Sequence, residues 1–372
     1  MLHNKNTQQF AGLLVLLIVL LVAMPALASP AVKSGNKILR IAGWDVYADP
    51  ENPAKTIGYH TFEQQERVTI EFTPLSNLEA IIEAAESGGE YDLIIVSNEG
   101  VKPLYQMGLA KPLDLNLIPN YQSLHNNLKY NAWCQFNADV YAVPWAWGPT
   151  GLLYDTEHIQ EPDSWSILWD ERYRNSVSLW DDVSMIWTVA LSLGYKNVFN
   201  LTRQQLNKVK QKLLTLNETV FDYYDGNDQM LSYIENENIA VLNSWFDPSR
   251  RLLAIDKKFK MIIPREGAVG MFDSYLITTQ TDTEALSYRY INHQISPAVQ
   301  KQMIDVTGLS PSNIETIALL SQDEIQSLHL NEIDYFNRMI LWDVMPRKHL
   351  YEEVLNEIRS DFEKRAAPAV SQ

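Results

Sequence analysis

Tyr91-Asp92-Leu93-Ile94-Ile95-Val96-Ser97 contains a short continuous apolar run, the pattern of a strand in a sheet covered on both faces. Just upstream, residues 78–85 (Leu-Glu-Ala-Ile-Ile-Glu-Ala-Ala) carry apolar side chains at helical spacing, with Asn77 placed to cap the start and Gly88-Gly89 to stop the chain. Residues 68–72 and 37–42 alternate in strand fashion, the latter running into the turn-like Gly43-Trp44-Asp45-Val46-Tyr47. Strand, helix and buried strand in that order imply a right-handed crossover and a doubly wound α/β lobe. Ligands of such sheets gather at the carboxyl ends of strands, which puts Trp44, Asp45, Tyr47, Ser97, Asn98 and Glu99 beside any cleft. By position alone, Trp44 and Tyr47 fit equally well as loop aromatics packed on their own lobe.

A second lobe reads from Gly151 onward. Residues 165–173 are expected to be helical, 177–180 a strand, and 183–193 a long apolar helix that follows Asp181-Asp182 directly. Asp182 suits an N-cap, a role that needs no ligand. Amphipathic helices follow at 202–216 and 227–236, and a buried strand at 239–242 leads into Asn243-Ser244-Trp245-Phe246-Asp247. Strands are expected at 258–263 and 272–278 around the turn Pro264-Arg265-Glu266-Gly267, then helices at 284–293, 297–306 and 348–364. No repeat, heptad or low-complexity linker occurs, so crossing strands are expected to join the lobes.

The bulk properties agree. A chain of 372 residues exceeds what one hydrophobic core usually serves. Residues 10–23 are almost wholly apolar and are followed by Pro25 and Ala26-Leu27-Ala28, which predicts a signal peptide over residues 1–28 with the mature chain starting near Ser29. The alternative is a retained anchor, for which the run is shorter than the ~20 residues of a spanning helix. Cys134 is the only cysteine, which excludes an internal disulfide and a thiolate metal cluster. With 46 acidic against 30 basic side chains the net charge is -16, which disfavours nucleic acid and anionic membranes as partners and favours cations.

Phosphate-loop, dinucleotide, zinc-protease and serine-elbow signatures are all missing from the chain, so no enzyme reading arises and neither a cofactor nor a metal is called for. His125, His158 and His329 lie in polar stretches and read as solvated. The tryptophans are more telling. Trp44, Trp145, Trp147, Trp245 and Trp342 stand beside Pro, Gly or Asp at loops and strand ends, whereas Trp165, Trp169 and Trp187 sit in helical patterns and read as core. Rings that cover methylenes and attract ammonium groups, with carboxylates at the charged ends, suit an organic cation.

At this point the chain resembles the spermidine/putrescine-binding family of bacterial periplasmic solute-binding proteins. The likeness is carried by residues 91–97, by Tyr141-Ala142-Val143-Pro144-Trp145-Ala146-Trp147-Gly148-Pro149-Thr150-Gly151, and by Ser164-Trp165 through Trp169-Asp170. It continues in Val177-Ser178-Leu179-Trp180-Asp181-Asp182, in Pro264-Arg265-Glu266-Gly267-Ala268-Val269 leading to Asp273-Ser274, and in Ser296-Pro297 followed by Gly308-Leu309-Ser310-Pro311-Ser312-Asn313.

The resemblance implies a type II periplasmic-binding-protein fold of the α/β class, each lobe a mixed sheet flanked by helices, joined by strands crossing near 143–147, 268–272 and 310–317. Lobe 1 would take residues 29–145 and 272–316, and lobe 2 residues 146–271 and 317–372. It further implies that Trp44, Tyr47, Ser97, Asp182 and Asp273 hold the ligand, with Trp245 and Asp247 as a putrescine-type contact and Trp342 and Asp343 near a C-terminal polar contact. Where the family pattern has other residues, this chain has Met271, Met185, Leu309 and Glu99. Glu99 could then supply a carboxylate from the opposite lobe. The implied function is capture of a polyamine in the periplasm by a monomer that delivers it to an inner-membrane ABC permease. The alternatives are another amino compound or small cation, or an envelope sensor or enzyme on the same scaffold.

Overall fold

Strand β1 (Lys37–Trp44) lies between β2 (Val68–Leu75) and β3 (Leu93–Ser97), parallel to both. We describe the protein from a computed structural model, which covers residues 37–48, 56–245, 248–249, 252, 255–332 and 334–366. The predicted signal segment and Asp247 lie outside the described residues. Helix α1 (Tyr59–Glu66) precedes β2, and α2 (Leu78–Glu86) carries the chain from β2 to β3. As expected, Asn77 caps α2, its side chain accepting from Ala80 N–H at 2.9 Å. Gly43 is required where β1 meets β3, because a Cβ there would sit 2.6 Å from Ile95 Cβ. Every residue of β3 is buried, as its unbroken apolar run predicts, and helix α3 (Asn98–Gln106) starts directly at its end.

The short hairpin β4 (Gln135–Phe136) and β5 (Asp139–Val140) leads into β6 (Val143–Pro149). The chain then forms a second sheet from β7 (Gly151–Asp155), β8 (Val177–Trp180), β9 (Asp222–Tyr224), β10 (Val241–Ser244) and β11 (Phe259–Ile262), in the order β11-β7-β10-β8-β9. Helices α4 (Ser184–Ser192), α5 (Arg203–Leu216) and α6 (Asn227–Asn236) connect these strands. A return strand, β12 (Ala268–Ile277), pairs with β3 and β6, and β13 (Ser310–Pro311) and β14 (Met339–Leu341) complete a first sheet ordered β13-β6-β12-β3-β1-β2 with β14 against β12. Both sheets mix parallel and antiparallel pairs. β6 and β12 belong to the first sheet along their whole lengths, so the expected junctions at 145/146 and 271/272 fall inside strands.

Helices α7 (Glu284–Gln294) and α8 (Pro297–Thr307) follow β12, and α9 (Lys348–Ala366) closes the described chain. Tyr351 ties α9 to the second sheet's helices, its hydroxyl donating to Val198 C=O at 2.6 Å, and Asn217 donates to Ile358 C=O at 3.1 Å.

Three expectations need correction. Residues 165–173 are not one helix but two 3-10 turns, Trp165–Trp169 and Glu171–Tyr173, because Ser164 and Asp170 each cap a fresh start. β12 begins four residues early: pairing with β6 on one side and β14 on the other overrides the weak strand preference of Gly270. β10 lies two residues downstream of the predicted 239–242, after Asn238 takes a left-handed φ of 56°.

Candidate functional site

Strand ends from both sheets surround a single cavity of about 430 Å3. The first sheet supplies Trp44 to Tyr47 after β1, Ser76 after β2, Ser97 at the end of β3, Met271 and Asp273 from β12, and Trp342 after β14. The second sheet supplies Trp180 and Asp182 after β8, Asp225 to Asn227 after β9, and Trp245 after β10. The cavity therefore lies where open α/β sheets place ligands. Four of its lining residues are aspartates and none of them is Lys, Arg or His.

Asp273 is the deepest of these acids, 3% exposed. It stands opposite Ser97 in the β12–β3 register, and the β12–β6 register slips between Asp273 and Ser274. That bulge re-aims the side chain toward the cleft. Oδ2 accepts a short hydrogen bond from the Tyr47 hydroxyl, whose ring meets Trp145 edge-on at 4.5 Å between centroids. Oδ1 and the indole N–H of Trp44 are both buried with no hydrogen bond of normal geometry among the described residues. Burial pushes the Asp273 carboxyl up to about 6, against the lowering influence of Tyr47, Ser97 and Trp44.

Asp182 faces it from the second sheet. One oxygen accepts from Ser184 N–H at 2.7 Å and the other from the Trp245 indole N–H at 2.7 Å; the N-cap of α4 is Val183, so Asp182 stands one residue before the capping position and still serves the first helical N–H. Burial again dominates and raises this carboxyl to about 6, with the charge of Asp181 adding to the rise. Asp181 itself turns away to the Arg359 guanidinium at 2.7 Å. Buried Asn243 braces the wall, accepting from Trp180 N–H at 2.8 Å and reaching the Ser184 hydroxyl at 3.2 Å. Trp187, Trp245 and Trp342 form an aromatic cluster with ring centroids 5.2 to 6.1 Å apart.

The structure thus brings Trp44, Tyr47, Ser97, Asp182, Trp245, Asp273 and Trp342 to one cavity. Two expected residues lie elsewhere. Asp343 is exposed and accepts from Val344 N–H, since the chain turns outward after Trp342. Glu99 is buried in the first turn of α3, off the cavity wall. Trp145 and Trp147 are core rather than cleft residues, their indoles donating to Gln294 C=O and Pro311 C=O inside β6 contacts. His329 is buried as well, between Glu332, Met261 C=O and the stacked Tyr335 ring.

Of the four departures, Met271 lines the cavity, while Met185 is buried in α4 and Leu309 packs against Gly148. Sequence reasoning missed Ser76, Trp180, Asp225 and Asn227 as wall residues. Each follows or ends a strand, the same signal that found Trp44; β9 escaped notice because it is three residues long.

Two mixed sheets whose strand ends converge on an acid-lined, aromatic-walled cavity define a solute-binding protein of the two-lobed periplasmic-binding-protein fold. The chain belongs to the bacterial extracellular solute-binding protein family, whose family model matches residues 59–329, well over half its length. The spermidine/putrescine-binding periplasmic protein of Salmonella typhimurium is 26% identical over 318 residues, covering 82% of this chain and 86% of the relative. That of Escherichia coli K12 is 25% identical over 357 residues, covering 91% and 97%. Among solved structures, a spermidine/putrescine ABC transporter substrate-binding protein from Streptococcus pneumoniae superposes with a TM-score of 0.72 at 21% identity, covering 88% of this chain and all of that one. A Treponema pallidum lipoprotein gives 0.71 at 19% identity, covering 87% and 99%. These two likenesses carry the fold.

Proposed function

We propose that this chain is the periplasmic solute-binding component of an ABC importer and that it binds a polyamine of the putrescine or spermidine kind in the cleft. The observation that carries the reading is the wall itself: aspartates from both sheets, no basic side chain, and tryptophan faces between them. Ammonium groups meet carboxylates and ring faces there, while the methylenes cover the rings. The names of the Salmonella and Escherichia relatives support the same ligand class.

Asp273 Oδ1, which has no hydrogen bond of its own, is the natural seat for one ammonium. Asp182 faces a second from the other sheet, and Asp45 and Asp225 add negative charge along the same wall. The two lobes, one built on each sheet, close about the guest, and the closed monomer docks on an inner-membrane permease. Export follows from the signal peptide over residues 1–28. Among the described residues no helix is long and apolar enough to cross a membrane.

Calorimetry and thermal shift with putrescine, cadaverine, agmatine, spermidine and spermine test the reading, together with mass spectrometry of small molecules released on denaturation. A ligand at about 100 times its dissociation constant stabilises the fold by about 2.7 kcal/mol, a shift easily read. Binding of an amine supports the proposal; a panel with no binder, or a released molecule that carries no amine, overturns it.

A further inference from the structure

Behind the cleft stands an acid that the ligand contacts above leave without a role. Glu99 is 2% exposed, and apart from a loose approach to its own backbone N–H neither Oε1 nor Oε2 has a hydrogen bond of normal geometry among the described residues. It lies two residues beyond Ser97, which shares the cavity wall with Asp273. The charged groups that act on it from the surrounding elements are all acids: Asp273 on β12, Asp343 after β14 and Glu79 on α2. The base beside Glu79, Lys348 of α9, is engaged in an ion pair with Glu79 and is also within 3.9 Å of Glu352. A buried carboxylate with no partner and acidic neighbours is unfavourable, and the group escapes that cost by holding a proton.

We propose that Glu99 is a proton-exchange partner of the cation site, protonated while Asp273 stands alone and deprotonated once an ammonium group settles against Asp273. The inference rests on the amine-binding reading given above. The balance is simple: the Glu99 carboxylic acid and a free ammonium become a carboxylate beside a bound ammonium, and one proton passes to the solvent. No covalent bond to the guest changes.

The direction of the effect follows from the free state. Burial first, then the charges of Asp273, Asp343 and Glu79, raise the Glu99 carboxyl to about 8, and only its own backbone N–H works against the rise. A bound cation favours the ionised form, so affinity climbs with pH up to about 8 and levels off above it. The climb approaches tenfold per pH unit where the free acid is protonated and the bound one is not. Asp182 and Asp273, both near 6, contribute mainly below that pH, which leaves the interval from 6 to 8 as the signature of Glu99. A lysine-like ammonium, with an ordinary value of about 10.4, stays charged throughout.

The experiment is titration calorimetry of putrescine and spermidine at pH 7 in buffers of different ionisation heat, with the wild-type chain and Glu99→Gln. The expected result is release of about one proton per guest from the wild type and none attributable to this interval from Glu99→Gln, whose affinity is flat from pH 7 to 8. Carbon NMR of the glutamate carboxyls in the wild type supplies a second readout that needs no variant: one titrating above pH 7 in the free protein and at a lower pH with guest bound. Binding without proton release, or equal release from both proteins, overturns the proposal and leaves the ligand reading standing. No amine binding by either protein overturns both.

Discussion

Asp273→Asn separates the cost of a buried acid from its use. The carboxyl is 3% exposed and raised from 3.8 to about 6 in the folded chain, a shift of about two units or roughly 3 kcal/mol. The sign is that of a raised acid: its contribution to stability is full below the unfolded value near 3.9 and is lost as the pH climbs through about 6. At pH 7.5 without ligand the isosteric amide removes that cost, and Asn can still accept from the Tyr47 hydroxyl, so the melting temperature should rise by several degrees. The gain should shrink as the pH falls toward 4. Ligand binding should move the other way. Removing one member of a buried charge pair costs about 2–5 kcal/mol, or roughly 30-fold to several thousand-fold in affinity. Calorimetry with the best amine at pH 7.5 and scanning calorimetry of the ligand-free protein read both halves. An affinity within about threefold of wild type, or a lower ligand-free melting temperature, refutes the reasoning about this residue.

Other substitutions address the scaffold and the rim. Asn98 is fully buried, accepts from Phe272 N–H at 3.2 Å and donates to the Trp342 carbonyl, so Asn98→Ala should lose about 2–4 kcal/mol of unfolding free energy in urea. Gly43→Ala drives a methyl to 2.6 Å from Ile95 Cβ, and should cost about 1–3 kcal/mol by the same assay. Trp245→Phe removes the indole donor that lowers Asp182, so amine affinity should fall more at pH 6 than at pH 8 in a calorimetric series. Asp225 lines the wall but is exposed, so Asp225→Asn should weaken binding by a few-fold at low ionic strength and by nothing measurable at about 0.5 M salt.

Much of this arrangement is legible in the amino-acid sequence. The run at 91–97 predicts a strand covered on both faces because only such a strand needs apolar side chains at consecutive positions, and the chain forms that strand over 93–97, two residues shorter at its start. The topological rule then locates Trp44, Asp45, Tyr47 and Ser97 at the cleft, although it also points to Asn98 and Glu99, which lie off the wall, and Asp182 comes only from the family resemblance. The rule has no view of side-chain partners, however. Trp44 and Trp147 look alike in sequence, each beside Gly or Asp, yet Trp147 finds the Pro311 carbonyl and sinks into the core while Trp44 lines the cavity. The bulge that aims Asp273 leaves no mark in the residues themselves, since it depends on how β6 pairs with β12. Asp225 was hidden behind a three-residue strand too short for any periodicity to register.

In the proposed cycle, the state of each acid makes closure wait for a cation. Asp182 has both oxygens satisfied by N–H groups, Asp273 has one taken by Tyr47, and Glu99 has neither. An acid already satisfied gains mainly Coulomb energy from an incoming ammonium, whereas an acid with a free oxygen also gains a charge-assisted hydrogen bond. Asp273 is therefore where the guest changes the local free energy most, and it sits on a strand of the first sheet. The rings that would cover the rest of the guest, Trp180 and Trp245, follow strands of the second. In the proposed closure, the approach of the two sheets presses those rings, which already line the cavity with Asp273, onto the methylenes of a cation held there. Their approach without it would bury Asp273 deeper with its charge unpaired. The coupling predicts that Trp245→Ala weakens binding and, because the lost indole N–H lets Asp182 rise, adds proton release near pH 6, while release between pH 7 and 8, which comes from the acid behind Asp273, is unchanged. Loss of proton release in that variant would show that ring packing and acid ionisation are one event.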